Sequence, residues 1–427
     1  MNARKFIAGQ FEFTIMLLIF LSAIHLSIKL SQAQETQSVW YFGNQPEGKF
    51  KNLQDGIYPT YKPHLSDKLS FSDYYQWKRG NSARYGIDYL YSNAPIYQIG
   101  SMGNESYFDN LMDLYLQWRL FEEKTWSGKI FFYGLYVQTF SDKPTGEFAD
   151  SQNLLTSPND GATDPNKSFV SPSALWWEQN LWSNRFIYRI GQLNTRALWG
   201  TNKYLNDDRY SFMNSVLSTD VGVPWYTGSR GLGAMTSIQN DWVYLSAGFQ
   251  DAKADQEKID FTSLADGNFV YLGELGFTPT FGIKNKGKYK LTIGYVEKTG
   301  DNRKKSECNG WGLTLSIRQD FSEGFGLYGV YRHSWDREVG GVKRTAGTGV
   351  VFTRPFGWVD DWLGIGYFFT DPSDSALEKE HGFEVYWRLQ LTHRLEFTPD
   401  LQVYLTPAKA VDNSRTIVFG LRLRYLL

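Results

Sequence analysis

From Thr416 to Leu427 the chain repeats with a period of two. Ile417, Phe419, Leu421, Leu423, Tyr425 and Leu427 occupy alternate positions. Thr416, Gly420, Arg422 and Arg424 fall between them, with Val418 and Leu426 as exceptions. Side chains alternate between two faces only in a β-strand. One face is apolar throughout and the other carries two arginines. A strand of this kind suits a wall with lipid on one side and water on the other, which stays stable in a membrane only if the sheet closes on itself.

The pattern recurs back to Arg84. It predicts sixteen strands over 84–92, 108–120, 128–140, 174–182, 185–193, 229–238, 241–250, 269–277, 287–296, 310–319, 325–333, 345–353, 361–369, 381–391, 394–405 and 415–427. In the second, Met112, Leu114, Leu116 and Trp118 oppose Asp113, Tyr115, Gln117 and Arg119; in the ninth, Tyr289, Leu291, Ile293 and Tyr295 oppose Lys288, Lys290, Thr292 and Gly294. Long connections such as 141–173, 194–228 and 251–268 alternate with short ones such as 183–184, 239–240 and 392–393. Alternating loop length and an even strand count together predict an all-β fold. It is a transmembrane antiparallel β-barrel of about 16 strands with short periplasmic turns and long external loops. A soluble β-sandwich would also alternate, but with its apolar face inward and with no reason for loops of alternating length. Reversed faces would point Arg84, Arg119, Arg318, Arg388 and Arg422 at lipid, at about 2–4 kcal/mol each near the midplane.

Mean hydropathy of −0.41 would suit a soluble protein, but a polar lumen lowers this average in a membrane barrel. The aromatic content of 17 % is the better guide, because barrels place aromatic girdles at both interfaces. A net charge of −1 argues against a nucleic-acid partner, and a single cysteine, Cys308, excludes an intrachain disulfide. Arg4 and Lys5, the apolar run Phe13 to Ile24 and the small residues around Ala33 read as a signal peptide over 1–33. That run is too short to span a bilayer as a helix. Residues 34–83 then form a periplasmic lead-in, in which Asp67 to Arg79 reads as a helix or an extended segment, and 84–427 form the barrel.

Candidate pore-lining residues of both charge signs are Arg84, Asp88, Asp113, Arg119, Glu178, Arg189, Glu274, Arg318, Arg332, Glu384, Arg388 and Glu396. A single-sign lining selects ions. A mixed lining suits a neutral, hydroxyl-rich solute, since carboxylates accept from hydroxyls and guanidinium groups donate in a fixed fork. The connection 194–228 is the candidate constriction, carrying Trp199, Lys203, Tyr204, Asp207, Asp208, Arg209, Trp225 and Tyr226. A long loop in a compact domain usually has a function. The connection 141–173, rich in Ser, Asn, Asp and Pro, reads as solvated.

Catalysis finds little support. His64, His333, His381 and His393 have no metal-binding spacing, so neither cofactor nor metal is expected. An outer-membrane hydrolase using His393 and a nearby serine is the enzyme alternative.

Several segments resemble the carbohydrate-selective porin (OprB) family. The stretch 381–407 carries Glu384, Tyr386, Pro399, Asp400, Leu401, Gln402 and Pro407 in the family's order. Trp176-Trp177-Glu178-Gln179 with Arg189-Ile190-Gly191-Gln192-Leu193 is similar to its paired strand motif. Gly233-Ala234, Glu274-Leu275-Gly276 and Gly420-Leu421-Arg422 also fit. The family's N-terminal Gly-Asp-Trp-Gly-Gly is missing, and Leu427 ends the chain where most such barrels have Phe. The resemblance implies a sixteen-stranded barrel passing monosaccharides such as glucose, in contact with outer-membrane lipid and lipopolysaccharide. Porins of this size are often trimers, so a homotrimer is one expected assembly. The other channel readings are a general diffusion pore and one preferring phosphate or another anion.

Overall fold

Sixteen antiparallel strands form a closed wall in the computed structural model, which describes residues 47, 49–58, 61–65, 72–103, 105–161, 168–226, 229–281, 285–297, 309–321, 324–335, 341–410 and 415–427. The segment read as a signal peptide, the start of the lead-in and Cys308 lie outside the described residues. The strands are β1 (Ile87–Gly100), β2 (Ser106–Glu122), β3 (Ser127–Thr139), β4 (Ser168–Leu181), β5 (Phe186–Asn194), β6 (Arg230–Gln239), β7 (Val243–Asp251) and β8 (Phe269–Phe277). They continue as β9 (Asn285–Val296), β10 (Gly310–Phe321), β11 (Phe325–Trp335), β12 (Val342–Phe352), β13 (Trp362–Pro372), β14 (Glu380–Gln390), β15 (Leu395–Thr406) and β16 (Thr416–Leu426). The two-residue strand Thr280–Phe281 extends the pairing of β9.

Each strand pairs with its neighbours in sequence, and β1 pairs with β16 from Ser92↔Leu426 to Gly100↔Val418. The Tyr91 and Leu427 amides and carbonyls complete that seam at 2.9 Å in both directions. The terminal alternation therefore closes the sheet and leaves no free edge.

The predicted faces hold. Ile417, Phe419 and Leu423 point outward and exposed, whereas Arg422 and Arg424 point into the lumen and are buried. Val418 and Leu426, the two apolar exceptions, are fully buried inside. Exposed aromatics gather at both rims, with Trp118, Trp126, Trp182, Trp242, Phe325 and Phe352 at the short-turn end. Phe108, Phe140, Phe249, Tyr271, Trp311 and Trp335 ring the long-loop end. These are the two interfacial girdles of a membrane barrel, with the short turns on the periplasmic side.

The barrel begins at Ile87, not at residue 84. Arg84 lies in a helix, α2 (Ser72–Tyr85), and is exposed there. Gly86 separates helix from strand with φ of +70°, a left-handed conformation that favours glycine. An alternation of Arg84, Tyr85 and Gly86 thus mimics one more strand turn. A shorter helix, α1 (Lys49–Gly56), precedes α2, so the described lead-in is mainly helical. His64 and Leu65 donate backbone bonds to Gln390 (3.0 Å) and Leu391 (2.9 Å), tying this segment to the periplasmic end of β14.

Candidate functional site

The connection between β5 and β6, residues 195–229, turns inward and bonds to walls on several sides of the lumen. Its Gly200 amide donates to Glu274 on β8 at 2.7 Å. Asn202 reaches Ser316 on β10 at 3.2 Å, and Tyr204 donates to Asp320 on the same strand at 2.7 Å. Arg332 on β11 donates to the Val216 carbonyl at 2.9 Å, and Thr345 on β12 to Val221 at 2.8 Å. Glu384 on β14 accepts the Met213 and Asn214 amides at 2.5 and 3.1 Å. Arg422 on β16 donates to the carbonyls of Asp208 (2.5 Å) and Ser211 (2.8 Å). Arg209 meets Asp113 on β2 at 3.0 Å and also pairs with Asp208. Burial alone would depress the Arg209 guanidinium, but Asp113 and Asp208 raise it well above the usual arginine value.

Glycines on the lumen face make room for this loop. A Cβ on Gly294 of β9 would lie 2.6 Å from the Trp225 ring, and one on Gly312 of β10 would lie 2.8 Å from it. Larger residues there would displace the loop by overpacking. Trp199, Tyr204, Asp207, Asp208, Arg209 and Trp225 are buried; Lys203 and Tyr226 are half-buried. The Arg388 guanidinium stacks 3.7 Å from the Tyr210 ring centroid and 4.8 Å from Trp362, a cation–π arrangement.

The β3–β4 connection also enters the lumen, which corrects its reading as a solvated loop. Phe148, Gln152, Leu154 and Asn159 are buried. Glu380 on β14 accepts the amides of Leu155 (2.8 Å) and Thr156 (3.0 Å), and Gln402 donates to the Pro158 carbonyl at 2.8 Å. Arg196 and Asp160 join the two inward loops at 2.6 Å. Ser, Asn, Asp and Pro suit a wet lumen as well as bulk water, and the apolar Phe148 and Leu154 were the available signal.

The candidate wall residues separate into two groups. Asp113, Glu274, Arg332 and Glu384 hold the β5–β6 loop, Arg388 stacks on its Tyr210, and Arg318 pairs with Glu47 of the N-terminal segment. Glu396 lies between Arg388 (3.9 Å) and Arg424 (3.3 Å).

Asp88, Arg119, Glu178 and Arg189 instead form a polar ladder over β1 to β5. Arg119 lies 3.4 Å from Asp88. Lys129 bridges Gln117 at 3.2 Å and Glu178 at 3.0 Å, and Glu178 accepts from Arg189 at 2.7 Å. Glu178 and Arg189 are direct cross-strand partners, which fixes their geometry. Arg119 and Lys129 keep 35 % and 24 % of their side chains accessible, whereas Glu178 and Arg189 are buried. Among the described residues there is no group of His, Cys, Asp or Glu able to hold a metal. Sequence reasoning did not single out Glu47, Lys288, Lys290 or Glu380 as functional, although the alternation already placed both lysines on the lumen face.

A closed sixteen-stranded barrel with rim aromatics, a charged lumen and inward loops is the build of an outer-membrane porin. A model of the carbohydrate-selective porin, OprB family, matches residues 170–425, more than half of the chain, and the protein belongs to that family. Porin AaxA of Chlamydia pneumoniae is 24% identical over 242 residues, covering 55% of this chain and 53% of that protein. Porin AaxA of Chlamydia trachomatis serovar L2 is 26% identical over 263 residues, covering 58% and 54%. The matched stretch thus spans about half the length of these curated relatives. The high-pH structure of Pseudomonas putida OprB superposes with a TM-score of 0.67 at 10% identity, over 83% of this chain and 97% of that one. The low-pH structure gives 0.55 at 11% identity, over 85% and 99%. At such identity these likenesses speak for the fold.

Proposed function

We propose that this porin passes small carbohydrates, glucose-like monosaccharides above all, by passive diffusion, with neither cofactor nor energy coupling. The observation that carries the reading is the ladder of Asp88, Arg119, Lys129, Glu178 and Arg189. It places acceptors and donors side by side on one wall, where Arg119 and Lys129 stay partly accessible and Asp88, Glu178 and Arg189 are buried behind them. Neighbouring carboxylate and guanidinium groups exchange hydrogen bonds with hydroxyls without favouring either ion sign. Family membership supports the same solute class. The β5–β6 loop narrows the lumen so that a solute must pass within reach of the ladder. Binding there is weak, near the millimolar range or about −4 kcal/mol, because conduction needs release as well as entry. The assembly in this reading is a trimer in contact with outer-membrane lipid and lipopolysaccharide.

Liposome swelling tests the reading with glucose, a disaccharide and an amino acid of glucose-like size. Glucose entry well ahead of the other two is the expected result. Entry that scales only with solute size would make the protein a general diffusion porin and remove the ladder's specific role.

A further inference from the structure

Three cations of the β9–β10 wall converge on one carboxylate from outside the barrel sheet. Lys288 and Lys290 are two residues apart on β9 and share its lumen face, and Lys288 is the direct cross-strand partner of Arg318 on β10. Like charges placed opposite one another across a sheet repel, and all three side chains are almost fully buried. Such a trio needs an anion. Glu47 of the N-terminal segment supplies it: Oε2 lies 3.4 Å from both lysine Nζ atoms, and Oε1 lies 2.5 Å from Arg318. Thr201 of the β5–β6 loop adds a hydroxyl 3.2 Å from Lys290. The other charged groups facing the cluster are Asp320, which meets Arg318 at 3.5 Å and Lys203 at 3.7 Å, and Glu274 on β8.

We infer that Lys288, Lys290 and Arg318 form a carboxylate-binding subsite of the pore, which Glu47 fills as a tethered internal ligand, and that small carboxylated solutes such as sugar acids compete for it. The occupant identifies the ligand class. Two oxygens are shared between a guanidinium and two ammonium groups, a donor set matched to a carboxylate. Burial would raise the Glu47 pKa, but Lys288, Arg318 and Lys290 overcome it and hold the group down at about 2, so it stays ionised at neutral pH. The rest of the segment tethers the occupant nearby: Lys49 lies 3.5 Å from Asp113, Tyr58 donates to Asp88 at 3.1 Å, and Leu53 and Ile57 are buried.

The test uses the full chain in planar bilayers and liposomes, with chloride and glucuronate as probes. Glu47→Gln should raise the chloride-to-potassium permeability ratio by about three- to tenfold, as expected when one charge is removed from a narrow low-dielectric passage. It should also make glucose entry sensitive to millimolar glucuronate, and adding Lys290→Gln should abolish that sensitivity. Unchanged permeability and glucuronate response in Glu47→Gln would overturn the inference, as would inhibition that survives Lys290→Gln. Heat-modifiable electrophoretic mobility checks that each barrel is closed. If Glu47→Gln does not fold, Glu47→Ala, which also removes the charge, should show the same changes, and no change there also overturns the subsite. Failure of the sugar reading would instead appear as poor glucose entry in every variant without glucuronate.

Discussion

The two sides of the lumen use the same residue types for different ends. On the β8–β16 side, Arg332, Glu384 and Arg422 bond mainly to loop backbone, and Glu274 accepts a loop amide beside the Tyr244 and Thr292 hydroxyls. On the β1–β5 side, Asp88, Arg119, Glu178 and Arg189 bond mainly to other wall side chains and to the N-terminal segment. A buried loop carries backbone amides and carbonyls that must find partners, and charged wall groups are strong partners. The first wall is therefore a mount for the inward loop. The second keeps its contacts largely within the wall, with Asp113 on β2, which pairs with Arg209 of the loop, as the exception. A charged residue in a porin lumen acquires its role from what folds against it.

Excision is the bluntest way to break the comparison. Replacing residues 206–220 by a short Gly/Ser linker removes what the mounting wall carries, and single-channel conductance should rise several-fold. Unchanged conductance would place the narrowing elsewhere.

A single mount can be broken next. Glu384→Ala leaves the Met213 and Asn214 amides without their acceptor. A buried donor left without its partner costs about 1–3 kcal/mol. The loop should loosen, seen as a noisier and larger conductance and earlier protease cutting between β5 and β6. Glu384→Gln, which keeps one acceptor oxygen, should fall between it and the wild type.

Acid tests the third attachment to that side. Glu47 is held at about 2 against an ordinary value of 4.5. A carboxyl depressed on docking contributes stability that is fully present above the undocked value and is lost as pH falls through the docked one. The contribution is about 3 kcal/mol and disappears between about pH 4.5 and pH 2. Pepsin should spare the N-terminal segment at pH 4 and cut it near pH 2. Equal cutting at both would show that Glu47 does not hold the segment in place.

Sequence alone revealed the walls far better than their division of labour. All sixteen strands were legible because each membrane strand must separate lipid from water residue by residue, so the fold is written locally. Strands β6, β12 and β13 are glycine-rich and carry the alternation more weakly, and in β13 the contacts explain why. A Cβ on Gly366 would lie 2.9 Å from Phe212 and 3.0 Å from Leu217 of the inward loop. Side chains are missing where the loop supplies them. The roles of Glu384 and Arg332 were illegible for a different reason. Nothing near either residue records that a segment more than a hundred positions away folds onto it. Arg84 misled because two or three alternating residues occur by chance at a helix end.

The smallest expected effect is on the ladder, and it sharpens the comparison most. Glu178→Gln keeps a hydrogen-bond acceptor beside Arg189 and Lys129 but removes the charge that both share. No loop bond is touched, so conductance noise and loop proteolysis should match the wild type. Arg189 and Lys129 then lose the one negative charge they share. Chloride preference should rise slightly, and glucose entry should slow by about two- to threefold, which corresponds to less than about 1 kcal/mol. Glutamine still accepts a hydrogen bond from a hydroxyl, so the loss reports the charge of the contact and not its existence. If glucose entry is unaffected here but falls in a mounting-wall variant whose loop remains protease-resistant, the two walls have been assigned the wrong way round, and the solute path runs along β8–β16.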